Sequence, residues 1–143
     1  MKKNLLAIIL LSGFSAVAAA QPRAVGLRGG WGVEASYQHS IGSDFIEADL
    51  GLNGNVFNLA ATYNWMLAQP QWTDRGDWGI YAGAGAAVGA TLCATGQIGL
   101  EYTFWFPLQL SFDLRPQIGI HLFNQTGIYY GGWVPTLAAR YRF

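Results

Sequence analysis

The most constraining feature of this chain is a strict alternation of apolar and polar residues, which is clearest in its last eleven residues, Trp133–Phe143. The apolar residues of this stretch occupy every second position: Leu137, Ala139, Tyr141 and Phe143. Arg140 and Arg142 lie between them. A period of two indicates a β-strand, because successive side chains point to opposite faces of a sheet. The pattern therefore predicts a final strand with one apolar face and one face that carries two arginines.

The same alternation recurs in six further segments along the chain. They are Val25–Gln38, Phe45–Leu52, Val56–Met66, Trp78–Ala90, Gln97–Phe104 and Leu108–Arg115. Every charge in these segments and in the last strand lies on the face opposite the large apolar residues. A soluble β-sandwich or a lipocalin-like barrel also alternates, but its outer face normally carries some charge. A charge-free apolar face opposite a polar face is instead typical of a transmembrane β-barrel, with lipid outside and a polar lumen inside.

The N-terminus predicts export from the cytoplasm. Met1-Lys2-Lys3 is positively charged, Leu5–Leu11 is a short apolar run, and Ala18-Ala19-Ala20 is a small-residue cleavage site. These are the three parts of a Sec-type signal peptide, and the apolar run is too short for a good membrane-spanning helix. We therefore expect residues 1–20 to be a cleavable signal peptide and residues 21–143 to form one barrel domain.

Charge and cysteine content exclude several classes of function. The eight basic residues of the chain include Lys2 and Lys3, so the mature chain keeps six arginines against eight acidic residues, a formal charge of −2. Such a chain has no basic patch for nucleic acid or for anionic lipid. Cys93 is the single cysteine, so no intramolecular disulfide is possible. We interpret Cys93 as a small residue at a turn, with an intermolecular disulfide as the alternative.

Chain length predicts eight strands, because a tilted spanning strand needs about 9–11 residues and bacterial single-chain barrels have even strand numbers. We place a tight turn at Arg115-Pro116-Gln117 and the missing strand, number seven, at Ile118–Phe123. Asn53-Gly54 predicts a hairpin turn. Both termini are expected in the periplasm, with four short outer loops at the other end of the barrel. These loops are His39–Ser43, Leu67–Asp77, Trp105–Pro107 and Asn124–Gly132.

Aromatic residues cluster near the ends of the apolar faces. They are Tyr37, Tyr63, Trp65, Trp78, Phe104, Tyr141 and Phe143. Tyrosine and tryptophan favour the two membrane–water interfaces, where an apolar ring and a polar tip are both accommodated. The pattern predicts the aromatic girdles of a membrane barrel.

With its signal segment Met1–Ala20 and its ending Arg140-Tyr141-Arg142-Phe143, the chain resembles the small eight-stranded outer-membrane proteins of the OmpA/OmpX-like class. The resemblance implies an integral protein of the cell outer membrane that contacts outer-membrane lipids. It also implies insertion by the barrel-assembly machinery, which would read Tyr141 and Phe143. It implies no catalytic residues. The short loops differ from those of adhesive members, whose strands extend beyond the membrane.

The candidate site is a network of charges in the lumen. Its members are Arg28, Glu34, Glu47, Asp49, Glu101, Asp113, Arg115, Arg140 and Arg142. An eight-stranded barrel is just wide enough for side chains to fill it, and unpaired charges there would be expensive. We therefore expect a paired, plugged core. The alternative is a narrow ion path, for which the inward glycines Gly79, Gly83, Gly85 and Gly89 could leave room near Tyr81.

A catalytic role is the weakest hypothesis. His39, Ser40 and Asp44 lie near a predicted outer loop, which is where a lipid-modifying enzyme of the outer leaflet would place them. Neighbouring residues of a strand point to opposite faces, so His39 and Ser40 cannot easily form a nucleophile–base pair. We expect no enzyme activity, no cofactor and no metal. The leading hypothesis is a monomeric barrel with a structural or interaction role in the envelope, followed by a small low-conductance pore and then by an enzyme.

Overall fold

A computed structural model describes residues 21–30, 32–53, 56–121 and 127–143. These residues form eight strands and no helix. The strands are β1 (Gln21–Gly29), β2 (Val33–Ile41), β3 (Asp44–Asn53), β4 (Val56–Ala68), β5 (Asp77–Val88), β6 (Thr91–Thr103), β7 (Leu108–His121) and β8 (Ile128–Arg142). Each strand pairs with the next in antiparallel order, and β8 pairs with β1 to close the barrel. The prediction of an all-β, eight-stranded, antiparallel up-and-down barrel is confirmed.

The predicted signal segment Met1–Ala20 lies outside the described residues. Among the residues that are described, none belongs to a helix long and apolar enough to cross a membrane.

The first predicted strand, Val25–Gln38, is wrong, because this segment contains a hairpin. β1 ends at Gly29 and β2 starts at Val33, and the Gly30 N–H donates to the Gly32 carbonyl at 3.1 Å. Arg28 and Glu34 face each other across this turn. They are an even number of residues apart, so a single strand and a hairpin place them on the same side of the sheet. Parity alone therefore did not reveal the turn that the glycines make.

The predicted turn at Arg115-Pro116-Gln117 and the separate strand Ile118–Phe123 are also wrong, because β7 runs without a break from Leu108 to His121. Pro116 pairs with Trp133 of β8, and a bulge follows between Gln117 and Ile118. On the β6 side, pairing is interrupted between the Thr95–Gln117 and Ile98–Leu114 pairs. Gly96 of β6 has no side chain, and a Cβ there would lie 3.3 Å from the Pro116 ring. A proline is tolerated inside this strand because a bulge and a facing glycine accommodate it.

These two corrections change the end of the barrel at which the connections lie. We call the end that carries Gln21 and Phe143 the terminal end; there the Phe143 N–H donates to the Arg23 carbonyl at 3.0 Å. Because β1 ends at Gly29 and β2 runs back from Val33, the three segments His39–Ser43, Leu67–Asp77 and Trp105–Pro107 fall at the terminal end. The prediction that these three loops lie at the end opposite the termini is wrong. The predicted loop Asn124–Gly132 overlaps β8, which starts at Ile128, and residues 124–126 lie outside the described residues.

The seven aromatic residues predicted to form girdles lie at or towards the terminal end, whereas the exposed Phe57, Tyr130 and Trp133 lie towards the other end. Trp65, Trp78, Phe104, Tyr141 and Phe143 lie at or next to the strand ends at the terminal end. Tyr37 and Tyr63 lie nearer the middle of their strands and turn their hydroxyl groups towards His39 and Asp44. Of the two expected girdles, these seven residues supply only the one at the terminal end.

The barrel is polar inside and apolar outside. Of the eleven largest side chains with less than 2% exposure, all but Phe45 and Tyr81 are polar or charged. Large apolar side chains face outwards instead, with Leu27 61%, Leu50 50% and Leu137 65% exposed. Among the described residues the distribution of side chains is therefore inverted relative to that of soluble proteins, which bury their apolar side chains.

Candidate functional site

The candidate site is the interior of the barrel, and its centre is the carboxylate of Glu47 on β3. Glu47 is completely buried. Its Oε1 atom accepts hydrogen bonds from Arg28 Nη1 at 2.8 Å and from Arg115 Nη2 at 3.1 Å. Its Oε2 atom accepts from Arg140 Nη2 at 3.0 Å and from Gln38 Nε2 at 2.7 Å. Arginines from β1, β7 and β8 thus converge on one carboxylate, and none of them is adjacent to it in the sequence.

Asp113 of β7 is the second anionic centre. Arg28 binds it through both terminal nitrogens, with Nη1 2.9 Å from Oδ2 and Nη2 bonded to Oδ1. The Tyr81 hydroxyl donates to Oδ2 at 3.1 Å, and the Thr136 hydroxyl donates to Oδ1. A carboxylate with a bidentate arginine and two hydroxyl donors has its acceptor capacity nearly filled.

Arg115 completes the network. Its Nη2 atom donates to Asp49 Oδ2 at 2.7 Å, and its Nε atom donates to Gln97 Oε1 at 3.1 Å. We call Arg28, Glu47, Asp49, Asp113, Arg115 and Arg140 the central network. Three arginines and three acids make it electrically neutral. Neutrality and mutual hydrogen bonding are the conditions under which ionised groups are tolerated in an interior.

A second layer lies between the central network and the terminal end. Arg23 pairs with Glu101 through both terminal nitrogens and donates to Gln38 Oε1 at 2.5 Å. Its guanidinium also lies over the Phe45 ring, 4.1 Å from the centroid. Gln109 connects this layer to the centre, because it donates to Glu101 at 3.3 Å and accepts from Arg140 at 3.3 Å. The lumen is therefore crossed by one connected set of side chains.

Sequence reasoning missed Arg23. Arg23 and Arg28 are an odd number of residues apart, so in an uninterrupted strand they would point to opposite faces and Arg23 would point outwards. In the structure Pro22 pairs with His39 and Ala24 with Gln38, so Arg23 is the extra residue of a β-bulge. A bulge changes which face the following residues occupy. The signal available in the sequence was Pro22, because proline inside a sheet marks edges and bulges.

The nine predicted lumen residues do not all belong to the network. Six form its centre, and Glu101 joins it through Gln109. Glu34 is partly exposed, with its Oε2 3.8 Å from Arg28 Nε. Arg142 lies at the terminal mouth, and its Nη1 has no hydrogen-bond partner within the described part of the chain.

The glycines that face the lumen do not leave open space near Tyr81. A Cβ on Gly79 would lie 3.0 Å from Glu101 Cγ, and one on Gly83 would lie 2.8 Å from Asn64 Cγ. A Cβ on Gly99 would lie 2.6 Å from the Tyr81 ring. Side chains of the lumen, among them Glu101 and Asn64, fill the space over Gly79 and Gly83, and Gly99 lets the Tyr81 ring lean across to Asp113.

The residues considered for catalysis are separated. His39 Nδ1 lies 2.8 Å from the Tyr37 hydroxyl, whereas Asp44 accepts hydrogen bonds from Tyr63 and from the Met66 N–H. No hydrogen bond joins His39 to Ser40 among these contacts. Cys93 is buried, with its sulfur 3.2 Å from the Thr91 hydroxyl. Within the described ranges, no group of three or more histidine, cysteine, aspartate or glutamate side chains is placed to hold a metal ion.

The two residues of the expected insertion signal lie outside the barrel. Tyr141 is 54% exposed and Phe143 is 65% exposed, and their ring centroids are 5.4 Å apart. They form an apolar corner at the β1–β8 junction, at the terminal end.

Comparison with known proteins yields no relative. No protein-family model matches the chain, and neither the curated proteins nor the solved structures give a significant match. The class of the protein therefore follows from its architecture alone: a closed, eight-stranded, antiparallel barrel with a hydrogen-bonded ionic interior.

Proposed function

We propose that this chain is an integral protein of the bacterial outer membrane, exported by its signal peptide, with a structural or interaction role in the envelope and a closed lumen. The observation that supports this most is the inverted distribution of side chains. Exposed leucine, isoleucine, valine and aromatic side chains occur on the outer surface of all eight strands. Contiguous apolar surface of this extent is rare on soluble monomers and is the normal surface of a protein in lipid.

Barrel closure supports the same proposal. In a bilayer every backbone N–H and C=O must be satisfied within the protein, and a closed sheet has no free edge. Here β1 pairs with β8 from Ala24–Arg142 to Gly29–Leu137. Tyr141 and Phe143 lie on the outer face of this junction, where an assembly machinery could contact them.

The central network supports a closed lumen. Its side chains come from β1, β3, β7 and β8, and further hydrogen bonds reach β2, β5 and β6. An ion that crossed the barrel would have to separate several of these pairs at once. The proposal therefore assigns the lumen charges to holding the strands together and not to conducting ions or to catalysis.

The test is the conductance of the refolded mature chain, starting at Gln21, in a planar bilayer. Folding is checked first by the change in gel mobility on boiling, which a folded membrane barrel shows. We expect a silent bilayer. In cells, the chain is expected in the outer-membrane fraction, and recovery of a soluble periplasmic protein would contradict the proposal.

A small pore is the second candidate, because three buried atoms of the interior lack a protein partner in the described part of the chain. They are Asp49 Oδ1, Asn64 Oδ1 and Gln97 Nε2. Such atoms favour water in the lumen. If discrete channel steps appear, the substitutions Glu47→Gln and Asp49→Asn should change their size or ion selectivity, and the lumen charges would become pore residues.

A further inference from the structure

A cavity of about 270 Å³ lies at the terminal mouth of the barrel, below the layer of Arg23 and Glu101. It is lined by residues from β1, β5, β6 and β8 and from the connection between β4 and β5. The lining residues are Arg23, Gln69, Gln71, Asp77, Trp78, Glu101, Thr103 and Arg142. Its size is near the lower limit of small-molecule sites in proteins, so it suits a ligand smaller than a typical drug.

Two of the four charges around the cavity are already used. Arg23 and Glu101 are buried and bound to each other. Arg142 and Asp77 remain. The Arg142 guanidinium is repelled by Arg23 and attracted by Glu101 and, more weakly, by Asp77, and no ion pair within 4 Å joins it to a carboxylate among the described residues. Arg142 Nη1 is buried and has no hydrogen-bond partner within the described residues. An arginine nitrogen that is shielded from water and lacks a partner is unfavourable, and a carboxylate satisfies it best.

The two remaining charges lie at different depths. Arg142 is half-buried, whereas Asp77 is exposed at the rim where β5 begins. A ligand that satisfies Arg142 must therefore place its anionic group inside and pass Asp77 with the rest of its length. Because the four charges of the lining cancel, the cavity has no net attraction for a simple anion. A ligand with a carboxylate at one end and an ammonium group at the other complements both charges.

We propose that the terminal mouth binds a small zwitterion, whose carboxylate accepts hydrogen bonds from Arg142 and whose ammonium group lies beside Asp77. Thr103, Gln69 and Gln71 supply neutral hydrogen-bonding groups on the walls. This site does not depend on whether the lumen conducts, because it lies outside the central network.

The experiment measures binding of linear amino acids of increasing length to the refolded mature chain in detergent micelles. Glycine, β-alanine, γ-aminobutyrate and ε-aminohexanoate are titrated by calorimetry, with ligand-observed NMR for weak binding. Butyrate and butylamine serve as single-charge comparators. We expect one length to bind at least about tenfold more tightly than either comparator, the factor of one charge-assisted hydrogen bond. Equal binding of butyrate, or no binding up to about 50 mM, would overturn the proposal.

Variants locate the site. Arg142→Gln and Asp77→Asn should each weaken binding by about tenfold. Arg75→Gln and Asp74→Asn are matched controls, because both residues are exposed in the same connection and neither lines the cavity. Unchanged binding by Asp77→Asn would refute the site, and this rim substitution keeps the test valid if Arg142→Gln fails to fold. A control variant that weakens binding as strongly would place the ligand elsewhere and would also refute the site.

Discussion

The middle of the barrel and its end opposite the termini are closed in different ways. In the middle, long charged side chains cross the lumen and bind one another around Glu47. Towards the opposite end, the interior is lined by small residues, and Ala60, Ala87 and Cys93 form a small apolar cluster. The middle is held by side-chain chemistry in addition to a close backbone approach at Gly26, whereas the opposite end lacks such charged side chains and depends on backbones that approach each other closely.

The glycines show how close this approach is. A Cβ on Gly85 would lie 2.7 Å from the Thr62 Cα, and one on Gly119 would lie 2.6 Å from the Cys93 Cα. Real Cβ atoms essentially never come this close to another backbone atom. Glycine is used at such positions because a sheet that closes on itself needs sharp local bends. The comparison teaches that polarity stabilises one region of this barrel and the absence of side chains shapes the other.

Removal of the Glu47 carboxylate should give the largest effect. Glu47→Ala leaves three buried arginines without their shared partner, and such a loss costs about 3–5 kcal/mol of unfolding free energy. The measurement is urea unfolding in micelles, followed by tryptophan fluorescence. Glu34→Ala is the control, because Glu34 is partly exposed and is expected to cost less than about 1 kcal/mol. Similar losses in the two variants would show that the network is not what holds the middle together.

A methyl group at Gly119 should lower the free energy of unfolding by an intermediate amount, and it tests the end of the barrel opposite the termini. Gly119→Ala forces β7 away from β6, and overpacking of this kind costs about 1–3 kcal/mol. Gly29→Ala is the matched control, because a Cβ on Gly29 meets nothing within 4 Å. The same unfolding experiment compares them. If both substitutions were neutral, close backbone contact would not explain the glycines of the opposite end.

Loss of the Tyr81 hydroxyl should lower the free energy of unfolding least, and it tests how much a single hydrogen bond contributes to the middle of the barrel. Tyr81→Phe removes one of the donors to Asp113, while Arg28 and Thr136 remain bonded to it. We expect a loss of about 1 kcal/mol, the typical net value of one hydrogen bond. Tyr130→Phe is the control, since Tyr130 is 65% exposed. A loss as large as that of Glu47→Ala would mean that Tyr81 is a second centre of the network.

The number of strands and their antiparallel, sequential order in a closed barrel were predictable, because they depend on the period of the pattern and on chain length. The two incorrectly predicted strand boundaries have different causes. At the first, the side of the sheet on which a residue lies is unchanged by an even-numbered shift along the chain. Arg28 and Glu34 lie on the same face whether the chain continues or turns at Gly30. At the second boundary, Pro116 caused one long strand to be predicted as two, because proline usually marks the end of a strand. Here Gly96 on the neighbouring strand and the adjacent bulge allow the proline inside β7.

The sequence by itself determined which face of each strand is polar, because a residue's identity and its position within a period-two pattern are local properties. It also determined the number of strands, through length. Only the tertiary structure decided that three arginines meet at Glu47 and that Arg23 turns inwards at a bulge. Those facts depend on register around a closed sheet, where side chains up to 108 positions apart become neighbours, and no local pattern encodes register across that separation.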